Sequence, residues 1–63
     1  MSDKAQWTTR ELADEARRRG KPITQERIRQ LCKAGVIRAT KPGHDWLISD
    51  WAAQRWLEKW LQD

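Results

Sequence analysis

The sequence is short of what covalent and metal-built sites require. It holds one cysteine, Cys32, and one histidine, His44. A lone cysteine closes no internal disulfide, which suits a reducing, cytoplasmic setting. One Cys and one His do not assemble a zinc site, and no cofactor is expected. No apolar run approaches the ~18 residues of a membrane span, and the N-terminus lacks the apolar stretch of a signal peptide, so no membrane partner is expected. Low-complexity segments and internal repeats are absent. So are a nucleophile–base pair, a Gly-rich phosphate loop and a catalytic carboxylate constellation, and the chain does not read as an enzyme. Glu11, Asp14 and Glu15 cluster in one predicted helix, where they balance nearby arginines.

What the chain has is tryptophan and a patterned charge. With 63 residues there is room for one small domain. A chain this short buries only about 60% of the surface its unfolded form exposes, so its core must be dense. All the aromatic content is in five tryptophans, with no Phe or Tyr. Each tryptophan can bury on the order of 150–250 Å². The formal charge is +4, and it is unevenly placed. Asp3 and Lys4 cancel; residues 10–45 hold ten Lys/Arg against five Asp/Glu; residues 46–63 hold two against three. A basic middle followed by a neutral-to-acidic end fits a nucleic-acid face backed by a structural element.

Residues 1–6 are polar and predicted to be a disordered N-terminus, with one domain over 7–63. Thr8 and Glu11 form a T-x-x-E capping box, flanked by Trp7 and Leu12 at the staple positions. Leu12, Ala13 and Ala16 make a narrow apolar stripe, and the first helix should run to about Arg19 and stop at Gly20, with Pro22 beyond. Thr24 caps a second helix, with Ile23 and Ile28 as its staple and Glu26 complementing the positive end of the dipole. Ile28, Leu31 and Cys32 define its buried side; Glu26, Arg29, Gln30 and Lys33 fall opposite, flanked by Gln25 and Arg27. Gly35 ends it.

A hairpin is predicted next, with strands at Val36–Thr40 and Trp46–Ile48 around a type II turn at Lys41-Pro42-Gly43-His44. Ile37 and Ala39 should face inward with Trp46 and Ile48, leaving Arg38, Thr40 and Lys41 in solvent. Ser49 or Asp50 then caps a third helix whose stripe is Ala53, Trp56, Leu57, Trp60 and Leu61. The expected fold is mainly α: helix, helix, two-stranded wing, helix. A two-stranded hairpin is barely stable alone, so it must lean on the helices.

Two short helices joined by a Gly-containing turn, the second polar and basic outside, read as helix-turn-helix. A recognition helix hides one side in a core and presents hydrogen-bonding residues to the major groove with the other. Arg29 has the donors for guanine O6/N7, and Gln30 suits adenine N6/N7. Gln25 and the helix N-terminal amides suit a phosphate. The plain alternative is that Arg29, Gln30 and Lys33 form a solvated helix face; the hairpin directly after them favours the DNA reading.

The run Ile23-Thr24-Gln25-Glu26-Arg27-Ile28-Arg29-Gln30-Leu31-Cys32-Lys33-Ala34-Gly35-Val36-Ile37 resembles the second helix and exit strand of excisionase-like, MerR-like winged helix-turn-helix domains. Gly43, Trp46 and Ile48, then Trp56-Leu57, are similar to that family's wing and closing helix, so the resemblance spans Thr8 to Leu57. It implies duplex DNA binding, the second helix in the major groove and the wing along the backbone or adjacent minor groove. Two departures stand out. The connection Arg17–Ile23 is longer than the family's compact turn. The wing tip reads His44-Asp45 where two basic residues are common, so wing contacts would fall to Arg38, Lys41 or a protonated His44.

Glu26, Arg27, Arg29 and Gln30 are thus the expected readers, with Lys33, Arg38, Lys41, Arg17, Arg18 and Arg19 on phosphates and Gln25 at the helix start. For the Arg17–Arg19 run, and Lys21 after it, the alternative is a solvated basic helix end favoured by the dipole. His44 reads first as a turn residue, Cys32 as core packing. Trp46, Trp56 and Trp60 should be core. Trp51 lies about 160° from the stripe of its helix; it either covers the wing's outer side or makes a dimer or partner contact. The rival function is a protein-interaction module docking through the third-helix tryptophans. Transcription regulation, DNA recombination and phage packaging or replication are all compatible roles, and the DNA site and oligomeric state stay open.

Overall fold

Local signals set the helices. In the computed structural model, which describes residues 5–62, the Thr8 hydroxyl accepts from the Glu11 N–H at 3.1 Å. The Glu11 carboxylate accepts from the Thr8 N–H at 2.9 Å, completing the capping box. Helix α1 follows over Thr9–Arg18. Its end is a Schellman motif: Gly20 N–H donates to Arg17 C=O and Lys21 N–H to Ala16 C=O, with Gly20 at φ +93°. Helix α2 spans Gln25–Lys33 and starts at Thr24, whose hydroxyl accepts from the Arg27 N–H at 3.1 Å. It closes the same way, through Gly35 at φ +83° and bonds from Gly35 and Val36 to the Cys32 and Leu31 carbonyls.

Among the described residues there are also a helix α3 over Asp50–Gln62 and three short strands, β1 Gln6–Thr8, β2 Ala39–Thr40 and β3 Leu47–Ser49. They form one antiparallel sheet in the order β1-β3-β2. Ser49 starts α3, its hydroxyl accepting from the Ala52 N–H at 3.2 Å. The molecule is a small, mainly helical domain, about 55% helix.

The sheet corrects two expectations. It has three strands rather than the two of the predicted hairpin, and Gln6, assigned to a disordered N-terminus, lies in β1 opposite Ser49. The rest of that segment, residues 1–4, falls outside the described residues. The reason is pairing between segments distant in sequence: Trp7 pairs with Ile48, Thr8 with Leu47, and the Ala5 carbonyl accepts from the Asp50 N–H at 2.9 Å. A third strand supplies the partner that a two-stranded ribbon lacks.

The hairpin also differs in detail. Pairing of Thr40 with Leu47 leaves residues 41–46 as the connection, and Gly43 is not among the glycines with positive φ. A type II turn needs positive φ at that position, so the turn is a longer irregular loop. Strand β2 covers only Ala39–Thr40, and Val36 is 63% exposed.

The core sits between the sheet and the helices: Leu12 and Ala16 from α1, Ile28 and Cys32 from α2, Ile37, Trp7 and Ile48, and Ala52, Ala53 and Leu57 from α3. Trp46, Trp56 and Trp60, expected in the core, are half-buried and pack against its rim. Two tryptophans act as ties between segments distant in sequence. Trp7 Nε1–H donates to the Asp50 carboxylate at 2.8 Å. Trp60 Nε1–H donates to the Lys21 carbonyl at 2.9 Å while the Lys21 ammonium donates to the Trp60 carbonyl at 2.8 Å and lies 4.5 Å from the Trp60 ring centroid.

Candidate nucleic-acid interface

Helix α2 is the element around which the charged surface is organised. Ile28 and Cys32 anchor it in the core, and Leu31 is half-buried beside them. Every other residue from Gln25 to Lys33 is exposed, which includes Gln25, Glu26, Arg27, Arg29, Gln30 and Lys33. The periodicity explains this division, since one apolar stripe leaves the remaining arc polar.

Within that arc, three side chains converge. The Arg29 guanidinium approaches the Glu26 carboxylate at 3.4 Å and the Gln25 amide oxygen at 3.5 Å. Both contacts are long and solvent-exposed, so they orient Arg29 without holding it firmly. Arg27 and Lys33 carry no ion pair among the described residues.

The Arg17–Arg19 run is divided. Arg18 and Arg19 bind the Glu15 carboxylate at 2.8 and 2.7 Å, and the Glu15 side chain is only 13% exposed. The Arg19 hydrogen bond, with charge from both arginines, holds the Glu15 carboxyl below its ordinary range despite opposing desolvation. Arg17 is exposed and carries no ion pair among the described residues. Lys21, read with this run, is instead bound at Trp60, so the long α1–α2 connection is fastened to α3.

The hairpin residues are exposed but separate from one another. Lys41 leans over Trp46, its ammonium 5.5 Å from the ring centroid. His44 and Asp45 stand in the 41–46 loop. Arg38 precedes β2 and lines a groove with Trp51 rather than joining the α2 cluster. Among the described residues, no hydrogen bond or ion pair joins the basic groups on α2, on the α1 end and on the hairpin. Cys32 is buried, and burial pushes its thiol up, away from nucleophilic chemistry. No group of metal-ligating side chains occurs among the described residues, nor does any helix long and apolar enough to cross a membrane.

Sequence reasoning missed one surface feature. An open groove of about 720 Å³ runs between the segment Val36–Arg38 and the outer side of α3, lined by Trp51, Ala52, Arg55, Trp56, Glu58, Lys59 and Gln62. Trp51, off the helical stripe, marks one wall; the opposite wall is hidden in the sequence because Val36 has the pattern of a strand residue, whereas β2 begins only at Ala39. Comparison of the chain with protein-family models, curated proteins and solved structures finds no match.

Proposed function

We propose that the chain is a winged helix-turn-helix domain that binds duplex DNA with sequence preference, as an excisionase-like or transcription-regulatory module. The supporting observation is α2 itself: a short helix capped at both ends, anchored by Ile28 and Cys32, whose polar arc exposes Gln25, Glu26, Arg27, Arg29, Gln30 and Lys33 together. A hairpin bearing Lys41 and His44 follows it directly.

In this reading α2 enters the major groove. Arg29 leaves its weak contacts with Glu26 and Gln25 and donates twice to a guanine edge, and Gln30 pairs with an adenine. Gln25 and the amides of the first turn take a phosphate. Glu26 and Arg27 complete the reading face, while Lys33, Arg38, Lys41 and Arg17 add backbone contacts, with Arg18 and Arg19 contributing from their places beside Glu15. Neutralising ~4–6 phosphates gives log K against log salt a slope of roughly −4 to −5.

The test is an NMR titration of the ¹⁵N-labelled chain with a mixed-sequence duplex of about 16 base pairs, roughly one and a half helical turns, at low and moderate salt. Shifts on Gln25 to Lys33 and on Arg38 to His44 that fade with salt are expected. An α2 that stays silent at low salt overturns the proposal.

A further inference from the structure

We infer that the groove beside Trp51 docks a short acidic segment of a partner protein, with carboxylates flanking an apolar anchor. This inference does not rest on the DNA reading, and shares with it one residue, Arg38. The groove is built from two chemistries. Trp51 is 58% exposed and Val36 63%, the large apolar residues that the fold leaves uncovered, and the Trp56 ring stands half-buried between them and the core. Around these lie Arg38, Arg55 and Lys59 against Glu58, a surplus of two positive charges among the described lining residues. The Arg55 guanidinium sits 5.1 Å from the Trp51 ring centroid, so a cation and an exposed aromatic ring form one contact point.

Charge complementarity decides the occupant. A second copy docking through the same groove about a two-fold axis sets two cationic surfaces face to face, which is unfavourable. A nucleic-acid backbone satisfies the cations but offers no aliphatic group to cover Trp51 and Val36. A peptide with carboxylates beside a Leu or Phe satisfies both. The groove follows α3 from Trp51 to Gln62, about 16 Å at 1.5 Å per residue, the span of some five extended residues. Such a partner gains a buried Trp anchor, the side chain that most often dominates binding energy.

The experiment titrates the ¹⁵N-labelled chain with a synthetic peptide of about 12 residues, enough to overrun the groove, in which Asp and Glu flank a central Leu-Phe pair. The five indole N–H signals give a site-resolved readout. The expected result is a saturating shift of the Trp51 indole and of the Val36, Arg55 and Lys59 amides, with affinity falling at least about tenfold in Trp51→Ala and in Arg55→Glu/Lys59→Glu. All three positions are exposed, and an unchanged amide fingerprint elsewhere checks that each variant folds. Three outcomes overturn the inference: no Trp51 shift, equal binding of a poly-Glu peptide without the apolar pair, or the same Trp51 shifts produced by duplex DNA. The Trp51→Ala variant should bind DNA as the parent does. Loss of DNA binding in the parent itself refutes only the proposed function and leaves the peptide result standing.

Discussion

Replacing Trp60 with Phe isolates the fastening of the α1–α2 connection. The variant keeps an aromatic ring next to Trp56, with which Trp60 stacks at 5.3 Å and 14°. It loses the indole N–H that donates to the Lys21 carbonyl. One such hydrogen bond is worth about 0.5–1.5 kcal/mol net. The Lys21 ammonium also lies over the ring at 4.5 Å, and a smaller, less electron-rich ring weakens a contact worth about 0.5–1 kcal/mol at an exposed site. The Lys21 bond to the Trp60 carbonyl is to backbone and should survive. The expected loss is therefore about 1–2 kcal/mol, or roughly 4–16 °C in melting temperature for a domain of this size.

Thermal unfolding followed by circular dichroism gives the number, and a double-mutant cycle with Lys21→Met tests the mechanism. Coupling of about 0.5 kcal/mol or more between the two positions is expected, because they are in direct contact. Lys21→Met removes the ammonium, and with it the bond to the Trp60 carbonyl and the contact over the ring, but leaves the backbone carbonyl of residue 21 to accept from the Trp60 indole N–H. A Trp60→Phe protein melting within about 2 °C of the parent refutes the reasoning, since that is below the smallest effect worked out above. The consequence for function is directional. If the fastening sets the position of α2, the variant should also lose DNA affinity at a temperature where it is still folded.

Other perturbations read other parts of the argument. Thr8→Ala removes the capping box and should cost about 0.5–2 kcal/mol in a chemical-denaturation midpoint, with a smaller loss for Glu11→Gln, which can still accept. Gly35→Ala meets nothing within 4 Å, so its destabilisation, about 1–2 kcal/mol by melting, measures the φ +83° backbone alone. Glu15 has its carboxyl depressed by Arg19, so its stabilisation is present above the ordinary carboxylate pKa and is lost as pH falls through the lower folded value. Stability of Glu15→Gln against pH should accordingly lie below the parent near neutrality and converge with it in acid; a constant gap would refute the ion-pair explanation. Arg29→Ala should cost about 1–3 kcal/mol at a selected DNA site and relax its preference, whereas Lys41→Ala should weaken all sequences alike, both by fluorescence anisotropy.

The helices were legible because their determinants are local. A capping hydroxyl, the acid three residues on and the glycine after the last turn all act within a few positions, and Thr8, Thr24, Gly20 and Gly35 each do what their spacing predicts. Strand β1 was illegible for the opposite reason. Its three residues, Gln-Trp-Thr, carry no alternation long enough to announce a strand. Their pairing partner is β3, at the other end of the chain. Trp7 was read only as a staple for its own helix, yet its indole also reaches Asp50. The 41–46 loop failed similarly: Pro42-Gly43 favours a tight turn locally, but the register is fixed by Ile48, which pairs with Ala39 on one side and Trp7 on the other.

The same distinction runs through the candidate surfaces. The polar arc of α2 was readable residue by residue, since a helix's exposed face follows from its buried one. Ile28 and Cys32 sufficed to place Arg29 and Gln30 outside. What sequence periodicity does not contain is which arginines are already occupied. Arg18 and Arg19 look equivalent to Arg17, but Glu15 lies three and four residues before them and binds both. Lys21 looks like the end of the same basic run, and only the third helix folding back reveals its partner. The groove at Trp51 needed still more, because its walls come from either side of the sheet hairpin in sequence. A tryptophan out of phase with its own helix was the sole trace of it, and that trace marked a surface without saying what faces it.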